Sequence, residues 1–392
     1  MEDKCSEFDE IRPFSDEELP KVYEELIADK HFRNVMESIF PFPFDEFAEK
    51  MRKCNTVREF QETFCYEILY GIARKHSSGL TIHIPEDFDR KKCYTYISNH
   101  RDIVLDSGFL SILLVQEGMD TVEIAIGDNL LIYPWIRNIV RINKSFIVQR
   151  SLNMRQMLES SIRLSKYMHY VINEKRQSIW IAQRQGRAKD ADDRTQDSVL
   201  KMCAMGGEGD PIDRLMSLNI APVSISYEFD PCDYLKAKEM QQHRDDPDFK
   251  KSERDDLKNM ETGLFGYKGR VHFEITPCIN DQLQALKSEN LSKTELFAKV
   301  GEITEQAIHL NYRFYPCNYV AHDMLMDEKR FTDHYSQEDY VKFASYLDSR
   351  LAKIDLPNRD IPFLRHRILE MYANPLSNYL TVKETTDLHK NG

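Results

Sequence analysis

Tyr94-Thr-Tyr-Ile-Ser-Asn-His-Arg-Asp-Ile-Val-Leu-Asp106 is the stretch on which the reading of this chain turns. Tyr94 to Ser98 has the aromatic and β-branched content of a strand. A polar loop follows, and an apolar helix is expected from Ile103 to Val115. His100 therefore sits at a strand end, with Asp102 and Asp106 two and six residues further on. An imidazole at the top of a sheet, oriented by a carboxylate, is a general base for a hydroxyl. The plainer reading is a hydrogen-bonded loop residue, the commoner fate of a histidine after a strand. His-Arg-Asp also occurs in protein-kinase catalytic loops, which place Asn five residues after the Asp. Here that position is Ser107, and neither Asp-Phe-Gly nor a Gly-rich loop before Val-Ala-Ile-Lys is present.

Three later segments bear on the same edge. Ser145-Phe-Ile-Val-Gln-Arg150 is a strand ending in arginine. Ser178-Ile-Trp-Ile-Ala-Gln-Arg-Gln-Gly-Arg-Ala-Lys189 is a strand entering a glycine-containing loop with Arg184, Arg187 and Lys189. Ile220-Ala-Pro-Val-Ser-Ile-Ser-Tyr-Glu228 is a third strand with Pro222 near its start. The basic clusters follow apolar strands, so they are expected on the sheet edge that carries His100. Ligands of open α/β sheets bind outside the carboxyl ends of the strands, and a planar guanidinium suits phosphate by binding two oxygens at once. A solvated loop salt-bridged to Asp190, Asp192 and Asp193 is the alternative for the second cluster.

In this order the blocks resemble those of the glycerolipid acyltransferase superfamily, the bacterial-type glycerol-3-phosphate and 1-acylglycerol-3-phosphate O-acyltransferases, over residues 80–230. Asn99-His100 with Asp106 matches the first block, and Phe146, Ile147 and Arg150 match the second. Gly186 and Arg187 match the third, Pro222-Val223-Ser224-Ile225 the fourth. Tyr227-Glu228 looks more like the glycerol-3-phosphate branch than the lysophosphatidate branch. The chain departs from the pattern twice. Five residues rather than four separate His100 from Asp106, and Gln185 stands where the family carries Glu. Glutamine keeps a carbonyl acceptor but loses the charge.

The resemblance implies direct acyl transfer without an acyl-enzyme. His100, held by Asp106 (or Asp102), would take the proton of a glycerol hydroxyl as that oxygen attacks an acyl thioester. Arg150, Gly186 and Arg187, with Arg184 and Lys189 beside them, would hold the acceptor's phosphate. The implied acceptor is glycerol-3-phosphate or a lysophospholipid, and the implied donor is acyl-CoA or acyl carrier protein. That donor is a co-substrate; no bound cofactor or metal is expected. The alternative, motivated by Gln185 and the longer His–Asp spacing, is a non-catalytic or impaired relative that binds lipid or a phosphorylated metabolite.

Strands are expected at 80–84, 94–98, 121–126, 144–149, 178–183, 220–228 and 270–276, with helices at 103–117, 152–174 and 195–205 between them. Such alternation argues for an α/β fold with a mixed, largely parallel sheet flanked by helices. Residues 1–78 read as an N-terminal helical unit, 79–320 as the α/β domain and 321–392 as a C-terminal helical extension. Asp233 to Met260 is charged enough to read as an exposed helical excursion. Leu130 to Arg141 reads as a helix over the sheet, or as a membrane-interface segment with Tyr133 and Trp135 at headgroup level. The resemblance suggests that it helps build the acyl tunnel.

The net charge of −12 argues against nucleic acid, which wants a basic face. No apolar run approaches the roughly 20 residues needed to span a bilayer, and Met1-Glu-Asp-Lys-Cys-Ser-Glu has no signal-peptide pattern. Eight scattered cysteines without Cys-x-x-Cys read as reduced thiols. The expected setting is the cytoplasm, including the cytoplasmic membrane face as a peripheral contact.

Overall fold

The computed structural model describes residues 6–39, 42–150 and 153–391. Among them seven strands form one sheet: β1 (Gly79–His83), β2 (Thr95–Ser98), β3 (Glu123–Gly127), β4 (Ser145–Val148), β5 (Ile179–Ala182), β6 (Ile220–Tyr227) and β7 (Arg270–Ile275), in the order β1-β7-β6-β2-β5-β3-β4. Strands β6, β2, β5, β3 and β4 run parallel. β7 is antiparallel to β6, and β1 is parallel to β7. The carboxyl ends of β2, β4, β5 and β6 therefore meet on one edge.

The helices used below are α1 (Leu19–Ala28), α2 (Lys30–Ile39), α3 (Phe44–Arg52), α4 (Glu67–His76), α5 (Leu105–Gln116), α6 (Pro134–Ile142), α7 (Met154–Tyr170), α8 (Asp197–Cys203), α9 (Pro211–Ser217), α10 (Asp233–Asp245), α11 (Glu253–Phe265), α12 (Lys293–Leu310), α13 (Pro316–Met326), α14 (Gln337–Ala352) and α15 (Ile361–Asn391).

All residues of β2 and β6 are buried, as expected for strands covered on both faces. Alternation divides them: Tyr96, Val223 and Ile225 join Phe109, Leu110 and Leu113 of α5, whereas Ile97 and Ile220 join Tyr167 of α7 and Phe297 of α12. Pro222 is tolerated inside β6 because of where its missing N–H falls. Its carbonyl accepts from Thr276 N, on the β7 side, just past the last β7 residue. The nitrogen of the same residue points that way too, so the one bond forgone lies at the end of the β6–β7 ladder and the pairing with β2 is untouched.

Helices α1 to α3, joined by Phe64 from the helical segment Gln61–Tyr66, build a separate aromatic cluster with Tyr23, Phe32, Phe44 and Phe47. α6 docks on it: Ile142 is fully buried there, and Trp135 packs 5.9 Å from Phe32. Trp135 thus meets the N-terminal helices, while Tyr133 stays exposed.

The charged segment after β6 divides: its second part, residues 243–258, is mostly exposed, as its composition suggests, but its first part, in α10, is not. Asp233, Lys236, Glu239 and Gln241 of α10 are buried because each finds a partner. Asp233 receives Arg350 of α14 at 2.5 Å and the hydroxyls of Tyr346 and Tyr372 at 2.7 and 2.8 Å. Lys236 pairs with Asp230, and Glu239 with Lys189. Paired charge can be buried where isolated charge cannot. Among the described residues no helix is long and apolar enough to cross a membrane.

Candidate active site

The loop between β2 and α5 is shaped by its two carboxylates. Asp102 Oδ1 accepts from the N–H groups of Val104 and Leu105 at 2.9 and 2.8 Å, satisfying donors that the start of a helix leaves free. That turn absorbs the extra residue and brings Asp106, in the first turn of α5, back under the loop. Asp106 Oδ2 then accepts three hydrogen bonds: from His100 Nδ1 at 2.8 Å, Arg101 N at 2.6 Å and Asp102 N at 3.0 Å. His100 is bonded to Asp106, not Asp102. Burial and the neighbouring charge of Asp106 push the Asp102 carboxyl above its ordinary range.

His100 keeps 13% of its side chain exposed, whereas Asp106 is fully buried. The edge of the imidazole meets Trp180 of β5, with ring centroids 5.6 Å apart. Trp180 is itself held by Nε1 donating to Ser98 Oγ at 3.0 Å. With Asp106 ionised, Nδ1 is the donor and Nε2 the free base; no residue among those described hydrogen-bonds Nε2.

Two neighbours of the histidine hold the loop. Asn99 donates to Ile225 O at 2.9 Å and accepts from Ile225 N at 2.7 Å, locking the end of β2 to β6. Arg101 makes a buried two-pronged pair with Asp193, at 2.8 and 2.5 Å. Burial opposes the Arg101 charge, but Asp193 outweighs it and raises the pKa. The last strand adds Tyr227, whose hydroxyl and the second Asp106 oxygen are both buried without a hydrogen-bond partner. Burial and the Asp106 charge hold that phenol well above its usual range, so it stays neutral.

The basic residues divide. After β5, Gly186 adopts φ +71, a left-handed turn that favours glycine, and the chain doubles back to bring Arg187 inward. Arg187 Nη2 donates to Asn259 Oδ1 of α11 at 3.0 Å, while its Nη1 is buried without a partner, as is Arg184 Nε. Burial disfavours the Arg187 charge, but Cys232, Asp230 and Asp102 outweigh it and raise the pKa. Lys189 is committed to Glu239 at 2.7 Å. Gln185 is exposed, and its backbone N–H donates to Gln196. Arg150 lies apart. β4 is three strands from β2, so Arg150 is roughly 14 Å along the edge from His100. There it donates to Asn129 Oδ1 at 3.2 Å, and burial lowers its pKa against the pull of Asp128. The edge therefore brings His100, Asp106 and Arg187 into one region, commits Lys189 elsewhere and separates Arg150.

Residues 79–192 match the protein-family model described as Acyltransferase. This segment is an acyltransferase-family domain. It holds β1 to β5 with His100, Asp106, Arg150, Arg184, Gly186, Arg187 and Lys189; Tyr227 and Asn259 come from beyond it. No curated protein matches the chain. Among solved structures, the 1-acyl-sn-glycerophosphate (LPA) acyltransferase PlsC from Thermotoga maritima aligns with 13% identity and a TM-score of 0.35. That alignment covers 76% of this chain and 96% of the other, a likeness too slight to carry an argument.

The acyltransferase domain depends on residues that local sequence does not flag. Trp180, Asp193 and Asn259 reach the site from distant positions, and Asn259 meets Arg187 across 72 residues. Only the fold brings them together.

Proposed function

We propose that this chain is an O-acyltransferase that moves a fatty acyl group from an acyl thioester to a hydroxyl of glycerol-3-phosphate or a lysophospholipid. One observation carries the reading: within the acyltransferase domain, His100 Nδ1 is bonded to buried Asp106 at 2.8 Å, leaving Nε2 as a base at the open edge of the sheet. His100 takes the hydroxyl proton as the acceptor oxygen attacks the thioester carbonyl. Collapse of the adduct breaks the carbon–sulfur bond, and the departing thiolate takes the proton from the imidazolium that Asp106 has stabilised. Arg187, with Arg184 beside it, binds the acceptor's phosphate and so places its hydroxyl. At this separation Arg150 serves the far end of the same edge.

The binding-protein alternative is motivated by Gln185 and the longer His–Asp spacing, and the latter still delivers Asp106 to His100. Arg187 donates its hydrogen bond to Asn259, so the missing charge at position 185 breaks no ion pair of Arg187. Thiol release from a long-chain acyl-CoA tests the proposal, with glycerol-3-phosphate, lysophosphatidate and unphosphorylated glycerol as acceptors. Release that depends on the phosphorylated acceptors supports it. No acceptor-dependent release from either acyl-CoA or acyl carrier protein donors overturns it in favour of a binding protein.

A further inference from the structure

Helix α11 lies outside the acyltransferase domain and buries only Asn259 and Gly263 among its described side chains, one turn apart. Both positions abut the site. Asn259 Oδ1 accepts from Arg187 Nη2 at 3.0 Å. A Cβ on Gly263 would come within 2.0 Å of Asp102 Oδ2, so the helix rests directly on the loop after His100. Asn259 is held in turn: its Nδ2 donates to Asp255 O at 2.7 Å, and its own carbonyl accepts from Cys232 Sγ at 3.3 Å. The amide nitrogen is engaged by its own helix, which turns the oxygen toward the guanidinium.

What Arg187 lacks is as informative. Among the described residues no carboxylate comes within ion-pair distance of it, although Asp102 and Asp230 are near enough to act on its charge. Both acids are occupied, Asp102 by the N–H groups of Val104 and Leu105, and Asp230 by Lys236. A half-buried guanidinium whose partners are one neutral amide oxygen and the Cys232 thiol, with Nη1 buried and unpartnered, is short of compensating charge, and that is costly. An anion supplies that compensation.

We infer that Asn259 is a positioning residue for Arg187: its neutral amide oxygen fixes the guanidinium without cancelling the charge, which makes α11 one wall of the phosphate site. The inference rests on the proposed role of Arg187 as the phosphate ligand. A carboxylate at position 259 would pair with Arg187 and force phosphate to compete for it. A shorter side chain would merely leave the guanidinium free to turn.

Calorimetric titration of the full chain with glycerol-3-phosphate and with inorganic phosphate tests this, comparing the parent with Arg187→Ala, Asn259→Ala and Asn259→Asp. The parent binds both probes and Arg187→Ala loses them. Asn259→Ala weakens phosphate by about threefold, the scale of one neutral hydrogen bond. Asn259→Asp weakens it by about tenfold or more, since phosphate must then displace a charge-assisted partner. A purely structural role predicts the reverse order, because aspartate keeps the size of asparagine. In turnover the acceptor KM rises while kcat and the donor KM hold. If Arg187→Ala abolishes binding but both Asn259 variants stay within about twofold of the parent, the inference is wrong while the role of Arg187 stands. Should Asn259→Asp not fold, Asn259→Ala decides alone by the same threshold. A parent that binds neither probe removes the role of Arg187 and the inference together.

Discussion

Replacing Asp106 by Asn isolates what its charge does. Alanine would be a poor probe, since it would leave the N–H groups of Arg101 and Asp102 buried without the oxygen they share. In Asp106→Asn the amide oxygen must stay where those two donors converge, and His100 Nδ1 meets the same oxygen. The tautomer that leaves Nε2 basic is therefore retained, and the amide nitrogen falls on the side of the unpaired carboxylate oxygen. What is lost is attraction between the carboxylate and the imidazolium that forms during proton transfer. With charge centres roughly 4 Å apart and an effective dielectric of about 20, that attraction is about 4 kcal/mol. The remaining neutral hydrogen bond returns about 1 kcal/mol, so the net loss is about 3 kcal/mol, on the order of 100-fold in kcat. Asp102→Asn is the control. Its oxygen still accepts from Val104 and Leu105, and it does not touch the histidine, so kcat should fall by less than about tenfold. Steady-state thiol release on folded samples checks both. Asp106→Asn within about fivefold of the parent, or Asp102→Asn equally damaging, would refute the assignment of Asp106 as the partner of His100.

Three further outcomes follow from the same geometry. Asp193→Asn should destabilise the fold by about 3–5 kcal/mol, since it strips the compensating charge from buried Arg101; a loss under about 1 kcal/mol in urea denaturation would show that the pair is not needed. Gly263→Ala should lower stability by about 1–2 kcal/mol although alanine is the better helix former, because its Cβ meets Asp102 Oδ2; a stabilised variant would mean that α11 sits off the loop. Fully buried Lys268, whose ammonium donates to the carbonyls of Leu264 and Gly266, is pulled by burial to about 8. The unfolded chain keeps that proton to about pH 10.4, so between these values the unfolded state binds more protons and this group makes stability rise with pH, by up to about 1.4 kcal/mol per unit. Denaturation series from pH 7 to 10 on the parent and Lys268→Met should show the variant's slope flatter by that contribution, and identical slopes would count against it.

The sheet was legible because each strand carries its own signature. Tyr94 to Ser98 and Ile220 to Tyr227 are rich in aromatic and β-branched residues, as suits strands buried on both faces. The order of strands was not legible. Arg150 and Arg187 both follow apolar strands, yet β4 lies at the far side of the parallel block and β5 lies beside β2, a difference that only the crossovers decide. The nearness of His100 and Asp106 could be expected, but the choice between Asp106 and Asp102 depends on a turn that Asp102 itself stabilises. The charge of α10 misled for a similar reason. Asp233 reads as solvated until Arg350 arrives from 117 residues away. The partner of Arg187 was beyond local reading altogether, since Asn259 sits in a helix whose composition marks it only as surface.

The central claim is that His100 is the base of an acyl transfer. Acceptor-dependent thiol release from a long-chain acyl-CoA, measured for the parent and for a folded His100→Ala variant in the presence of glycerol-3-phosphate or lysophosphatidate, tests it most directly. The account predicts release in the parent and a fall to the acceptor-free background in the variant. A folded variant that releases thiol at the parental rate would contradict it.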